Sequence, residues 1–369
     1  MEQPVAVLSP QFPRRPTRPV RVGRVAVGGG APISVQSMTK TDTRDAEATT
    51  AQVRSLERAG CEIVRLAVPD EEAAEALRAV RKAVDTPLVA DIHFDHRLAL
   101  TALRAGVDGL RLNPGTIGSR SKVEEVVRAA GERKTPIRVG VNAGSLERGL
   151  LEKYGGATAE AMVESALGQV SILESLGHGQ VKISLKASDV GRTLEAYRLM
   201  ASRVDYPFHA GITEAGGLLS GAVKSAVGLA LLLREGLADT VRVSLTAPPE
   251  EEVRAAYRIL SSLKLRERGP EVVSCPTCGR CEVDLIPLAA EVERRLSGLS
   301  AFFVAAVMGC PVNGPGEARE ADIGLAFGRD KAVIFRRGVP VKQVSAAEAL
   351  EVFVQEAFSL AEKMEREGR

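Results

Sequence analysis

Between residues 33 and 263 the chain alternates short apolar runs with amphipathic segments eight times, and few folds accommodate that rhythm. The runs cover residues 33–37, 63–68, 88–93, 109–113, 137–142, 181–186, 207–212 and 240–245. Each is rich in Val, Ile or Leu, as a buried strand requires. Helical patterning fills the intervals, as at 46–59, 71–84, 121–133, 159–176 and 250–263. Strand–helix alternation implies a parallel sheet. Eight units in roughly 230 residues predict a closed (β/α)8 barrel, typically about 250 residues, rather than an open doubly wound sheet.

The flanks are read by contrast. Residues 20–27 followed by Gly28, Gly29 and Gly30 read as a β-hairpin with its turn. A strand rather than a helix comes next, so these glycines are not a phosphate cradle. Residues 1–19 hold five prolines with Arg14, Arg15 and Arg18 and are predicted to be a flexible, solvated tail. The barrel is predicted over 20–264 and a polar linker over 265–271. Residues 272–369 change pattern to a small α+β domain. Its predicted elements are a helix over 285–296, strands near 302–308, 322–326 and 332–335, and a final helix over 346–365.

Composition excludes several function classes. A net charge of +2 gives no electrostatic case for nucleic acid or an anionic membrane. The best candidate for a bilayer helix, 226–233, is far short of a span and runs into Arg234 and Glu235. There is no hydrophobic signal core, and the cysteines do not form a secreted disulfide framework, so a cytoplasmic chain is predicted.

Several predicted strands carry charge on one face. Arg65, Arg111 with Asn113, Arg138 with Asn142, Lys182 with Ser184 and Lys186, Arg242 with Ser244, and Asp91 with His93 all alternate with apolar neighbours. Strand side chains alternate between two faces, and the apolar members must meet the helices. The charged members therefore point into the barrel near its C-terminal end, where such barrels place their active sites. Six cations converge there, and the nearby acids Asp91 and Glu214 do not neutralise them. An anionic, phosphate-bearing substrate resolves the imbalance better than internal ion pairing. The loops Asn113-Pro-Gly-Thr-Ile-Gly and Gly211-Ile-Thr-Glu-Ala-Gly-Gly offer backbone amides to such a ligand. His93 and His209 end strands and are candidate substrate contacts. Cys61 reads as a buried structural thiol.

The other four cysteines are Cys275, Cys278 and Cys281 in Cys-Pro-Thr-Cys-Gly-Arg-Cys, and Cys310 in Gly-Cys-Pro-Val-Asn-Gly-Pro-Gly-Glu. Thiolates suit zinc or an iron–sulfur cluster, and both remain open on chemistry alone. The closeness of Cys281 to Cys278, and a carboxylate returning at Glu317, lean toward iron–sulfur.

These cysteine motifs resemble those of the bacterial 4-hydroxy-3-methylbut-2-enyl diphosphate synthase family. Further similar segments are Val35-Gln36-Ser37-Met38-Thr39, Ala90-Asp91-Ile92-His93-Phe94, Arg111-Leu112-Asn113-Pro114-Gly115 and Gly211-Ile212-Thr213-Glu214-Ala215-Gly216. The resemblance covers nearly everything after the tail and fits the shorter bacterial form. It implies a [4Fe–4S] cluster held by Cys275, Cys278, Cys310 and Glu317, with Cys281 outside the ligand set. It implies reductive ring opening of 2-C-methyl-D-erythritol 2,4-cyclodiphosphate, with electrons from reduced flavodoxin or ferredoxin. Glu214 becomes the expected proton-transfer group, and Glu317 a ligand close to the chemistry. It also implies a head-to-tail homodimer. The rival readings are a phosphate-binding barrel lyase or transferase with a structural zinc, and a non-catalytic metal-ribbon module. The inward-facing cations argue against the second.

Overall fold

The computed structural model describes residues 12–113, 117, 119–310, 316 and 320–367. They form two compact units, one within Ala6–Arg266 and one within Glu267–Arg369.

The first unit opens with an antiparallel hairpin of β1 (Val20–Val22) and β2 (Val25–Val27). Its turn uses Gly23 at φ 55, where a Cβ would lie 2.7 Å from Asp108 Oδ1. Val20, Val22 and Val27 pack on Ile63 and Val89, which lie near the start of two barrel strands. The hairpin therefore stoppers the barrel's N-terminal end with apolar side chains.

Eight parallel strands follow: β3 (Ser34–Met38), β4 (Ile63–Ala67), β5 (Leu88–Asp91), β6 (Gly109–Leu112), β7 (Ile137–Asn142), β8 (Val181–Lys186), β9 (His209–Ala210) and β10 (Thr240–Val241). They are ordered β8-β7-β6-β5-β4-β3-β10-β9, and a parallel bridge from Ile183 to Phe208 joins the two ends. The predicted barrel is thus closed. The helices around it are α1 (Ala46–Ala59), α2 (Glu71–Ala83), α3 (His96–Ala105), α4 (Arg120–Glu132), α5 (Arg148–Tyr154), α6 (Ala159–Ser175), α7 (Val190–Ala201), α8 (Leu218–Arg234) and α9 (Pro249–Ser262). Asp45, Asp70, Asp95, Thr158 and Asp189 accept from backbone N–H groups in the first turns of α1, α2, α3, α6 and α7. These caps satisfy orphan donors where each loop becomes a helix. Apolar strand residues such as Val64, Leu66, Leu110 and Val139 join Leu56, Leu77, Val126 and Leu173 of the helices in one core.

Three differences from expectation have local causes. β9 and β10 are two residues long rather than six, and the two backbones stay closely packed just beyond them. A Cβ on Gly211 would lie 2.3 Å from the Arg242 carbonyl oxygen. The tail is also not loose over its described part. Arg14 pairs with Asp239 at 2.8 Å, Arg15 stacks 4.0 Å above the Phe208 ring, and Arg18 pairs with Asp205 at 2.7 Å. The arginines that suggested solvation instead strap residues 14–18 to the barrel. Finally, Leu265 and Arg266 are not free linker. Arg266 pairs with Glu62 at 2.8 Å and donates to the Ile33 carbonyl at 2.8 Å.

The second unit is a mixed sheet of β11 (Glu271–Ser274), β12 (Val304–Met308), β13 (Ile323–Phe327), β14 (Lys331–Arg336) and β15 (Val339–Ser345), in that order. β11, β12 and β13 run parallel, and β14 and β15 are antiparallel additions. Helices α10 (Leu285–Leu296) and α11 (Ala349–Arg366) cover it. Leu285, Val292 and Leu296 meet Phe353, Val354 and Ala357 over Phe303, Val307, Leu325 and Ile334.

Candidate active site

At the C-terminal end of the barrel lies a cavity of about 190 Å³ lined by Arg65, Asp91, His93, Arg111, Arg138, Asn142, Ser184, Lys186, Thr213, Arg242 and Ser244. Ten of these are residues singled out from sequence; Thr213 is the addition. The predicted lining residues lie on β4 to β8 or just beyond the C-terminal ends of β5 and β10. Strand alternation therefore assembles the site from seven separate segments. Lys182 and His209 are buried outside this lining, Lys182 four residues before Lys186 on β8. Asn113 follows β6 and is half-buried, and it does not line the cavity. Most of the loop after it, and Glu317 with its neighbours 311–315 and 317–319, lie outside the described residues.

One acid serves several cations inside. Asp91 lies 3.3 Å from Arg111, 3.6 Å from Arg65 and 3.7 Å from the His93 ring. Burial pushes its carboxyl up, but Arg65, His93 and Arg111 outweigh that and hold it below the usual carboxylate range. Arg111 also donates to the Gly140 carbonyl at 3.0 Å. A Cβ at Gly140 would sit 2.7 Å from Arg111 Nε, so glycine makes room for the guanidinium.

The remaining cations are under strain from burial. The Arg65 guanidinium is pushed down to about 10 by burial, with Asp91 opposing. Arg138 is 2% exposed, and its pKa falls well below the ordinary value, first through burial and then through Arg65 and Arg111. Its Nε and Nη1 have no hydrogen-bond partner among the described residues. Burial and then Arg138 push the Lys182 ammonium down to about 7. Lys186 falls well below its ordinary value for the same two reasons, and it lies 3.2 Å from His209 Nε2. His209 is held neutral by burial and by Lys186, and its Nδ1 lies 2.6 Å from Thr240 Oγ1. Buried donors and compressed cation pKa values together describe a site built for a polyanion.

Glu214 stands beside the lining residue Thr213, exposed, and holds φ 52. A non-glycine residue in that region costs of order 1–3 kcal/mol, and such strain concentrates at functional loops.

Sequence reasoning missed two supports. Met38 Sδ receives Arg65 Nε at 3.1 Å and Nη2 at 3.0 Å. Glu252 on α9 lies 3.3 Å from Arg242 although it is outside the cavity. Met38 was within a motif already noted, whereas Glu252 reads as one of three ordinary acids at a helix start.

In the second unit, Cys275 follows β11 and Cys310 follows β12 by two residues. The two strands are adjacent and parallel, so both cysteines leave the same edge of the sheet. The Cys275 N–H donates to Val307 O at 3.2 Å, and the Glu282 N–H donates to Gly309 O at 2.8 Å. The Cys275–Cys281 loop is thereby laid across the end of β12. Among the described residues no three His, Cys, Asp or Glu side chains yet converge on one point. The donor set of soft thiolates on one edge nonetheless fits an iron–sulfur cluster.

Family models match both units: the GcpE TIM-barrel domain over residues 17–257 and the GcpE protein C-terminal domain over residues 271–359. The chain belongs to the GcpE family. A relative from Geobacter sulfurreducens is 62% identical over 94% of this chain and 99% of its own length. Another, from Nitratidesulfovibrio vulgaris, is 58% identical over 93% of this chain and 89% of its own length. A third, from Maridesulfovibrio salexigens, is 60% identical over 91% and 94%. All three carry the name 4-hydroxy-3-methylbut-2-en-1-yl diphosphate synthase (flavodoxin). The resemblance read from the cysteine and barrel motifs therefore holds. Membership in the GcpE family also displaces the structural-zinc and metal-ribbon alternatives.

Proposed function

We infer that the cavity cations bind the substrate of a 4-hydroxy-3-methylbut-2-en-1-yl diphosphate synthase. The enzyme opens the ring of 2-C-methyl-D-erythritol 2,4-cyclodiphosphate and releases 4-hydroxy-3-methylbut-2-enyl diphosphate and water. Two electrons enter from reduced flavodoxin. The observation that carries the residue assignment is the convergence of Arg65, Arg111, Arg138, Lys186 and Arg242 on one cavity where, among the described residues, Asp91 is the one lining carboxylate.

A [4Fe–4S] cluster belongs to this activity, and when bound it supplies electrons singly and an iron Lewis acid. Cys275, Cys278, Cys310 and Glu317 would hold it. The chain's own side chains do the rest. The arginines and Lys186 neutralise and orient the diphosphate. Asn142, Ser184, Thr213 and Ser244 supply hydrogen bonds to the carbon skeleton's oxygens. Asp91 fixes the forks of Arg65 and Arg111. Glu214, at the rim beside Thr213, delivers the proton that lets the hydroxyl leave as water. Lys182 and His209 support the layer beneath.

A head-to-tail homodimer in the cytoplasm completes the proposal. In support, α8 exposes Leu219, Val223, Val227 and Leu231 at four-residue spacing, an apolar stripe that association would cover. No helix among the described residues is long and apolar enough to cross a membrane.

The test is metal and sulfide analysis of protein purified without oxygen, followed by turnover of the cyclodiphosphate. About four irons and four sulfides per chain are expected. Arg111→Ala is expected to keep the iron and lose turnover by about a hundredfold or more. Zinc without sulfide, or an Arg111→Ala enzyme with normal turnover, would overturn the reading.

A further inference from the structure

We propose that Glu252 is a positioning residue for this reaction, holding the Arg242 guanidinium against the substrate from behind the barrel wall. The inference rests on the reading that the cavity takes a diphosphate.

Glu252 is the fourth residue of α9 and is 1% exposed. It does not line the cavity; Arg242 and Ser244 do. Its carboxylate has four different donors. Oε1 takes the Leu245 N–H at 3.1 Å and Lys40 Nζ at 3.2 Å. Oε2 takes Ser37 Oγ at 2.9 Å and Arg242 Nη2 at 3.3 Å, with Arg242 Nε at 3.4 Å. Each oxygen thus has one neutral donor and one cation, which orients the carboxylate as well as neutralising it.

The consequence falls on the cavity. Arg65 and Arg111 share Asp91 inside, whereas Arg242 takes its counter-charge from outside. Glu252 engages the Nε and Nη2 edge of the fork. Arg242 Nη1 is left 3.9 Å from Met38 Sδ, the sulfur that Arg65 also contacts. A thioether is a weak acceptor, so a phosphate oxygen readily replaces it as partner to both arginines. Lys40 extends the same support. It donates to Leu245 O at 2.8 Å and to Ala247 O, fixing the backbone next to Ser244. The carboxylate therefore sets two adjacent lining residues without touching substrate, as an orienting outer residue does.

The experiment is a double-mutant cycle in the holoenzyme, using Glu252→Gln, Arg242→Ala and both together. Glutamine keeps the shape and an acceptor but removes the charge. Iron content and thermal melting are followed on all four chains. Glu252→Gln is expected to raise KM for the cyclodiphosphate about tenfold with kcat little changed. The double variant is expected to be only slightly worse than Arg242→Ala alone, because Glu252 acts chiefly through that residue and its hold on the backbone beside Ser244 is the smaller part. Effects that multiply in the double variant would overturn the proposal. So would a Glu252→Gln chain that loses its folded transition, since the carboxylate would then be holding the wall and not the arginine. Calorimetric titration with inorganic pyrophosphate, run on the same chains, reads the clamp independently of turnover. A wild type that binds pyrophosphate but leaves the cyclodiphosphate unchanged would overturn the functional reading alone.

Discussion

Lys182 is 3% exposed, and the residues that share its face of β8 are Ser184 and Lys186. Burial and Arg138 push its ammonium down to about 7, against about 10.4 in an unfolded chain. Between those values the unfolded chain holds a proton that the folded chain has released, so this group makes stability rise with pH from about 7 to 10. Below that window its full cost is present. Melting of the ligand-free enzyme is expected to shift upward from pH 7 to pH 9. Lys182→Met is expected to flatten the rise, whose slope cannot exceed about 1.4 kcal/mol per pH unit for one group. An unchanged slope in the variant would show that Lys182 does not titrate there. Alternation alone revealed that Lys182, Arg138 and Arg242 face inward. Glu252 was illegible because its partner Arg242 is ten residues away on another element, and nothing in a first-turn acid distinguishes a cap from a counter-ion.

The element that presents the cysteines depends on one glycine. A Cβ on Gly309 would lie 2.2 Å from Cys281 Sγ and 3.2 Å from Leu285 Cδ2. Cys281 also points its thiol at Val283 O, 3.2 Å away, so its sulfur packs against the neighbour of Cys310. Gly309→Ala is expected to push the Cys275–Cys281 loop off β12 and lower iron and sulfide content severalfold. Adding Cys281→Ala restores the room and is expected to recover most of the iron. Full iron in Gly309→Ala alone would show that the loop yields freely. At this scale the sequence was legible where periodicity was strong: α10 and β8 lie where predicted. β15 was missed because it is exposed along nearly its whole length and includes Pro340, which leaves no alternating apolar face. β11 was missed because its four residues adjoin the polar segment before it.

At the scale of the molecule, each unit has its own main apolar core among the described residues. Ligands bound only by the folded state stabilise the unit that holds them. Chelating the iron is therefore expected to lower the melting of residues 267–369 and to leave the barrel transition in place, measured by calorimetry before and after chelation. A single transition that shifts as one would refute that independence. The sequence by itself determined the barrel, the small α+β unit, the inward cations and the cysteine motifs. Period-2 and period-3.6 patterning is local, and ligand-type residues are visible one at a time. Only the tertiary structure decided which acids meet those cations, how the proline-rich segment is strapped down, and where β9 and β10 end. Those outcomes depend on side chains and backbone brought together from distant positions, and no local pattern encodes a contact between Arg14 and Asp239 or between Arg242 and Glu252.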